Sequence, residues 1–315
     1  MKFLMTGANG FVGKPLCAEL FRHGHAVRVA SRSAHAQLYD FEQKIVGSIG
    51  PETEWSAALS DLDIVIHLAA RVHVMNDPAI DPLAEFRKVN VAGTLNLARQ
   101  AAAMGVKRLV FLSSVKVNGE YTLPGHAFTE SDLPAPQDAY GISKHEAELG
   151  LRKISAETGM EVVIIRPPLV YGRGVRANFA ALMRAVQQGW PLPLGAVHNQ
   201  RSLVALDNLV DFIVTCSTHP RAANQTFLVS DGHDLSTTEL VRGLADATGM
   251  SARLLPVPFR VLEAGAAFLG KRGAVQRLCG NLQVDISRAR CLLGWVPPVS
   301  VDEGLRRAAA GTQKS

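Results

Sequence analysis

Three glycines near the amino terminus constrain this chain more than any other feature of it. Lys2 to Met5 reads as a short apolar strand, Thr6 to Gly13 as a turn carrying Gly7, Gly10 and Gly13, and Pro15 to His23 as a helix. Glycines at that spacing permit a tight turn, a close approach of backbone to a pyrophosphate, and close packing of helix on strand. The helix N-terminus adds free N–H groups and the positive end of its dipole. Placed between a first strand and an amphipathic helix, the pattern points to a dinucleotide; a purely structural glycine turn is the alternative.

The next strand, Ala26 to Ala30, ends in Ser31 and Arg32. A site for NAD usually places an acid at this strand end, where it accepts hydrogen bonds from the ribose 2′-hydroxyl. No acid stands here, and a serine beside a guanidinium suits a 2′-phosphate, so NADP(H) is favoured with NAD(H) as the other option. A short strand near Lys44 to Val46 follows, and then Asp63 to Ala70. Consecutive apolar or β-branched positions in that stretch predict a strand buried on both faces, as in a parallel sheet. His67 lies in it without a second ligand at metal spacing, which makes it a hydrogen-bonded histidine and leaves no metal site.

Pro82 to Gly105 reads as one long helix, with Asn90 bonding to a neighbouring strand's backbone. Lys107 to Ser114 is a further buried strand. In an open parallel sheet the ligand crevice lies beyond the carboxyl ends of the strands, which aims Ser114 at it. The Gly- and Pro-rich loop Asn118 to Gln137 then delivers the chain to Tyr140, Gly141, Ile142, Ser143 and Lys144. Four residues apart on a helix, Tyr140 and Lys144 share a face. The phenol can exchange a proton at a carbon–oxygen bond, and a nearby ammonium is expected to lower its pKa. Alone, such a pair is as consistent with a solvated helical surface.

A strand at Glu161 to Arg166 is stopped by Pro167 and Pro168. Strict βα alternation breaks beyond it: Asn178 to Gly189 is helical, Arg201 to Leu206 a strand, Asp207 to Thr218 a helix, Thr226 to Val229 a strand and Thr237 to Thr248 a helix. The expected fold class is α/β, a Rossmann-type doubly wound parallel sheet with a smaller mixed C-terminal substrate-binding lobe. Residues 1–171 plus 201–230 form the dinucleotide domain, and 172–200 plus 231–315 the lobe.

Composition narrows the partners. The 33 Lys and Arg against 28 Asp and Glu are scattered, with no run beyond two, which excludes a nucleic-acid footprint. Cys17, Cys216, Cys279 and Cys291 have neither metal spacing nor the density of a disulfide scaffold, as expected of a reduced, cytoplasmic chain. The opening strand leaves no room for a signal peptide. No apolar run reaches membrane-spanning length, so membrane insertion is not expected.

Taken in order, these segments resemble the extended short-chain dehydrogenase/reductases, and specifically the nucleotide-sugar epimerase/dehydratase group. The resemblance rests on Thr6 to Gly13, His67 to Ala70, Asn90 to Thr94, Ser113 and Ser114, Tyr140 to Lys144, Arg166 to Gly172 and, nearer the end, Asp285 to Ala289 with Leu293 to Trp295. It implies that Ser114, Tyr140 and Lys144 are catalytic. It implies a cofactor held by Gly7, Gly10, Phe11, Val12, Gly13, Ser31, Arg32, Ser48, Ile49, Leu68, Ala69, Ala70, Tyr140, Lys144 and Pro167. Ser114, Val115, Tyr140, Asn178, Arg201 and Arg277 would hold a UDP-sugar. Relatives commonly form homodimers through the helices at Pro82 to Gly105 and Tyr140 to Thr158, and a homodimer is the expected assembly.

Departures from the group's pattern bear on the reaction. A 4,6-dehydratase needs an acid and a base just after its catalytic hydroxyl, and Val115 and Lys116 stand there instead. Acids usual in 4-epimerases at the second and third strand ends are replaced by Ser31 and Arg32, and by Gly47, Ser48 and Ile49. The leading expectation is therefore a reductase acting at C4 of a UDP-4-keto-6-deoxy-hexose, plausibly a 2-acetamido sugar for surface polysaccharide. A UDP-hexose 4-epimerase acting on UDP-glucose or UDP-GlcNAc is the runner-up. A non-catalytic dinucleotide-binding scaffold and a dehydrogenase of apolar alcohols remain as alternatives from other classes.

Overall fold

The computed structural model describes residues 1–34, 40–72, 81–268 and 272–310. Among them, seven parallel strands form one sheet: β1 (Lys2–Thr6), β2 (Ala26–Ser31), β3 (Glu42–Ile45), β4 (Ile64–His67), β5 (Arg108–Leu112), β6 (Glu161–Arg166) and β9 (Thr226–Leu228). Their order is β3-β2-β1-β4-β5-β6-β9. The chain thus winds outward from β1 in one direction, then returns to β4 and winds in the other. The crevice where the direction reverses lies at the carboxyl ends of β1 and β4.

Alternate residues of each strand serve opposite faces, which is why these strands read as unbroken apolar runs. Phe3, Met5, Val27, Val29, Ile64 and Ile66 pack with α1 (Gly13–Arg22) and α7 (Leu206–Thr218). Leu4, Ala30, Val65, Leu109 and Phe111 pack on the other face with α4 (Thr94–Ala103) and α5 (Ala139–Thr158). Burying both sides of the sheet leaves only strand ends and loops for a ligand.

The single helix predicted over Pro82 to Gly105 is three pieces: α3 (Pro82–Phe86), a π-helical segment Arg87–Gly93, and α4. Widening of the turn accompanies burial of Asn90, whose Oδ1 accepts from Arg71 N at 2.8 Å. Its Nδ2 donates to Arg71 O and Ser143 Oγ, both at 3.0 Å. The expected backbone contact of Asn90 is therefore made, just beyond the end of β4. Such bulges mark places where a polar side chain must reach inward.

After Pro167 and Pro168 leave the main sheet, the chain pairs again. Strand β7 (Leu169–Tyr171) lies parallel to β8 (Leu203–Ala205) in a separate two-stranded sheet. This pair is part of a third apolar core with α6 (Ala177–Gln187), α8 (Thr237–Thr248) and α12 (Val301–Ala310), through Tyr171, Phe179, Met183, Val241, Leu244 and Leu305. Among the described residues, α9 (Phe259–Phe268), α10 (Arg272–Cys279) and α11 (Ser287–Leu293) lie between α8 and α12 in the chain.

Candidate active site

The glycine turn is built as the sequence requires. Gly7 adopts φ 72°, and a Cβ on it would lie 2.8 Å from the backbone N of Ala69. A Cβ on Gly13 would collide with the Gly7 carbonyl oxygen. The turn is therefore pressed against the backbone of Leu68 and Ala69 just past the end of β4, with Thr6 Oγ1 accepting from Ala69 N at 3.2 Å. No side chain caps α1; in its first turn Lys14 N donates to Gly10 O at 3.2 Å and Pro15 has no N–H. Phe11 and Val12, just before it, pack on the first core. These residues fit a dinucleotide pyrophosphate, because the space a Cβ would fill at Gly7 and Gly13 is taken by backbone and the helix start carries no competing cap.

Other predicted cofactor residues stand at the rim. Ser31 Oγ donates to Ser33 O at 2.8 Å, and the Arg32 side chain is exposed. Ser48 O accepts from Thr53 Oγ1 at 2.8 Å, while Ile49 packs so close to Gly93 that a Cβ there would meet its Cγ2 at 2.7 Å. His67 is buried behind the turn, its Nδ1 2.7 Å from Thr6 Oγ1 and its Nε2 2.9 Å from Thr94 Oγ1. Burial, with the Lys144 ammonium nearby, pushes its pKa down to about 3. It is a neutral, hydrogen-bonded histidine, as its sequence context suggested.

Ser114, Tyr140 and Lys144 come from two elements that meet beyond β5. Ser114 begins a 3-10 turn, Val115–Val117, and its Oγ accepts from Lys116 N at 3.3 Å. Val115 N donates to the O of buried Pro167 at 3.0 Å, joining the ends of β5 and β6. Asp138 caps α5, its Oδ1 accepting from Gly141 N at 2.7 Å. One turn in, Lys144 is fully enclosed: Nζ donates to Leu112 O at 2.8 Å, lies 4.4 Å from the Phe111 ring centre and 5.9 Å from that of Tyr140.

The electrostatics differ from expectation. Burial lowers the Lys144 pKa to about 7, with Glu148 opposing the shift. Tyr140 is not lowered. Enclosure by protein, and then the Asp138 carboxylate, hold its phenol above the ordinary tyrosine range. Spacing along the helix placed the ammonium near the phenol correctly, but it could not show that a carboxylate and a desolvated wall would outweigh it.

Several residues around the pair escaped sequence reasoning. Lys116, noted only as the wrong residue for a dehydratase, ion-pairs with Asp138 and, at 3.1 Å, with Glu120. It thus ties the Ser114 turn to the start of the Tyr140 helix. Ser113 Oγ donates to Glu148 Oε1 at 2.5 Å, and Arg166 fastens Glu148 from the other side. The available signal was Glu148 itself, a carboxylate four residues beyond Lys144 on the same helical face.

Of the three residues expected to hold a diphosphate, the structure embeds one. Arg201 is largely enclosed, Nη1 donating to Gly280 O at 2.9 Å, and burial lowers its pKa. Cys279 and then the Glu120 carboxylate oppose that shift. Asn178, near the start of α6, and Arg277, on α10, are both exposed.

Known proteins supply the comparison for this arrangement. A model of the NAD dependent epimerase/dehydratase family matches residues 3–230. A UDP-glucose 4-epimerase of Vibrio cholerae is 50% identical over 312 residues, covering 97% of this chain and 94% of its own. The structure of a UDP-glucose 4-epimerase from Thermotoga maritima with UDP-glucose covers 100% of this chain and 99% of its own at 23% identity and a TM-score of 0.78. A UDP-glucuronic acid 4-epimerase from Bacillus cereus in complex with NAD does so to the same extent, at 22% identity and a TM-score of 0.79. At those identities the two structures establish the shared fold.

Proposed function

Since the chain belongs to the NAD dependent epimerase/dehydratase family, whose model matches most of its length, we propose that it is a UDP-sugar 4-epimerase with Ser114, Tyr140 and Lys144 as its catalytic residues. It is an enzyme of the NAD-dependent UDP-sugar epimerase family, and the observation that carries the finer reading is its 50% identity, nearly end to end, with the Vibrio cholerae UDP-glucose 4-epimerase. The comparisons thus favour the runner-up of the sequence reading over the 4-keto reductase.

The geometry supports this assignment. As phenolate, Tyr140 would take the proton from the C4 hydroxyl, and the resulting phenol would return it to the same oxygen once the 4-keto ring has turned over. Ser114 Oγ hydrogen-bonds that oxygen throughout. Lys144, buried and fixed on Leu112 O, orients the ribose next to the reacting ring. When bound, a dinucleotide would supply the hydride acceptor and donor. Val115 and Lys116 follow Ser114, in place of the acid and base expected there of a dehydratase.

NAD is the proposed cofactor. The expectation of NADP(H) from Ser31 and Arg32 gains no support: Ser31 Oγ donates to Ser33 O, and the similar Bacillus cereus UDP-glucuronic acid 4-epimerase is in complex with NAD. The lobe built on the third core is proposed to hold the nucleotide, with Arg201 on its diphosphate. A homodimer through the faces of α4 and α5 is proposed as well, and Leu149 on α5 stands exposed there.

The test is incubation of the purified protein with UDP-glucose, UDP-GlcNAc and UDP-glucuronic acid at substoichiometric NAD. Interconversion of C4 epimers without net oxidation of cofactor is the expected result. Stoichiometric consumption of NADPH with a UDP-4-keto-6-deoxy sugar, and no epimerisation, would restore the reductase reading.

A further inference from the structure

Helix α9 is apolar on two sides: Leu262 packs on the third core, yet apolar residues also line its outer side. Its buried residue is Ala266, while Val261, Ala264 and Phe268, spaced three and four apart, form one stripe down the solvent side. Val261 is 59% and Phe268 91% exposed. A helix on the surface of a globular protein normally turns charged residues outward, and an apolar outer stripe marks a face that something covers. Exposed apolar side chains also stand in the segment preceding the helix and in the one paired with it. Leu255, 49% exposed, is held by backbone hydrogen bonding to Leu192, two residues from Trp190, itself 59% exposed.

Charge identifies the covering partner. Residues 251–280 carry five Lys and Arg and one Asp or Glu, so this tenth of the chain holds net +4 of the total +5. Arg253, Arg260 and Arg277 are exposed, and Arg260 directly precedes Val261 in α9. An exposed apolar stripe, a basic surround and an exposed tryptophan are the features by which a helix lies in the headgroup region of an anionic bilayer. The helix is ten residues long, and among the described residues no helix is long and apolar enough to cross a membrane. We infer that α9 docks this protein peripherally on an anionic lipid surface, with Val261, Ala264 and Phe268 entering the acyl boundary and the neighbouring arginines meeting the phosphates.

None of the stripe residues is assigned to the reaction, so the test of this inference does not depend on it. Purified protein is mixed with vesicles of phosphatidylglycerol and phosphatidylcholine in equal parts, and with vesicles of phosphatidylcholine alone, and floated through a density gradient. Protein is expected to rise with the anionic vesicles, and to be released by salt because the attraction is partly coulombic. The double variant Val261→Ser and Phe268→Ser is expected to bind about tenfold more weakly. Val261→Ser alone, with melting temperature and solution mass measured alongside, guards against loss of fold. Failure of the wild-type protein to float with the anionic vesicles would overturn the inference, as would equal binding by the variants. A fall in solution mass on substitution would show instead that a second copy covers the stripe.

Discussion

Glu148 grips Arg166 with both carboxylate oxygens, Nε at 2.9 Å and Nη2 at 2.5 Å, in a place where both side chains are almost wholly buried. Arg166 Nη1 reaches on to Asn118 Oδ1 at 3.0 Å, and Glu148 also accepts from Ser113. The pair therefore joins α5, the end of β6 and the segment carrying Ser114. Removing one partner leaves an uncompensated buried charge, which costs roughly 3–5 kcal/mol. Arg166→Met alone is expected to lower unfolding stability by about that amount in urea titration. The double change Glu148→Leu with Arg166→Met should recover much of it, and additive losses would show that the pair is not coupled.

For the proposed reaction, Tyr140→Phe is expected to reduce kcat about a hundredfold to ten-thousandfold while leaving NAD binding intact. Asp138→Asn is the subtler test. The carboxylate raises the phenol pKa, so removing its charge lowers that pKa, and the acid limb of kcat/KM should move to lower pH. Asparagine can still accept from Gly141 N and cap α5. An unmoved acid limb would mean that another group limits the rate.

Lys144 makes stability depend on pH. Its pKa is about 7 in the folded chain against an ordinary 10.5, so between those values the unfolded chain binds more protons. Stability accordingly rises from pH 7 to 10.5, by up to about 1.4 kcal/mol per unit for this group, and is lost as pH falls through 7. Lys144→Met should flatten that part of the profile and be relatively more stable at pH 6 than at pH 9.5. Melting temperatures of both proteins across the range decide it.

Gly13→Ala places a methyl against the Gly7 carbonyl oxygen, which forces the turn open. The expected result is a destabilised protein whose melting temperature no longer rises with NAD. Ligand at a hundred times its Kd stabilises an intact site by about 2.7 kcal/mol. Retained stabilisation by NAD would show that the turn is not the pyrophosphate cradle.

Residues near one another in sequence carried most of what was legible. Gly7, Gly10 and Gly13 set a turn whose steric demands are local, and the apolar runs at Lys2 to Met5, Asp63 to Ala70 and Lys107 to Leu112 could only be strands covered on both faces. Tyr140 and Lys144 share a helical face because of their spacing alone. By contrast, the π-helical turn at Arg87–Gly93 is invisible in the helical periodicity of Pro82 to Gly105. It forms where Asn90, Arg71 and Ser143 come together from three separate segments.

The amino-acid sequence by itself thus determined the doubly wound sheet, the glycine turn and the common helical face of Tyr140 and Lys144, because each follows from backbone geometry or from repeats of two and 3.6 residues. Only the tertiary structure decided their ionisation and support. Glu148 with Arg166, Lys116 with Asp138 and Arg201 with Gly280 join residues 18, 22 and 79 positions apart. How far burial shifts a lysine or a phenol depends on what the rest of the chain packs around it. Desolvation and charge act through space, and a linear sequence holds no record of those distances.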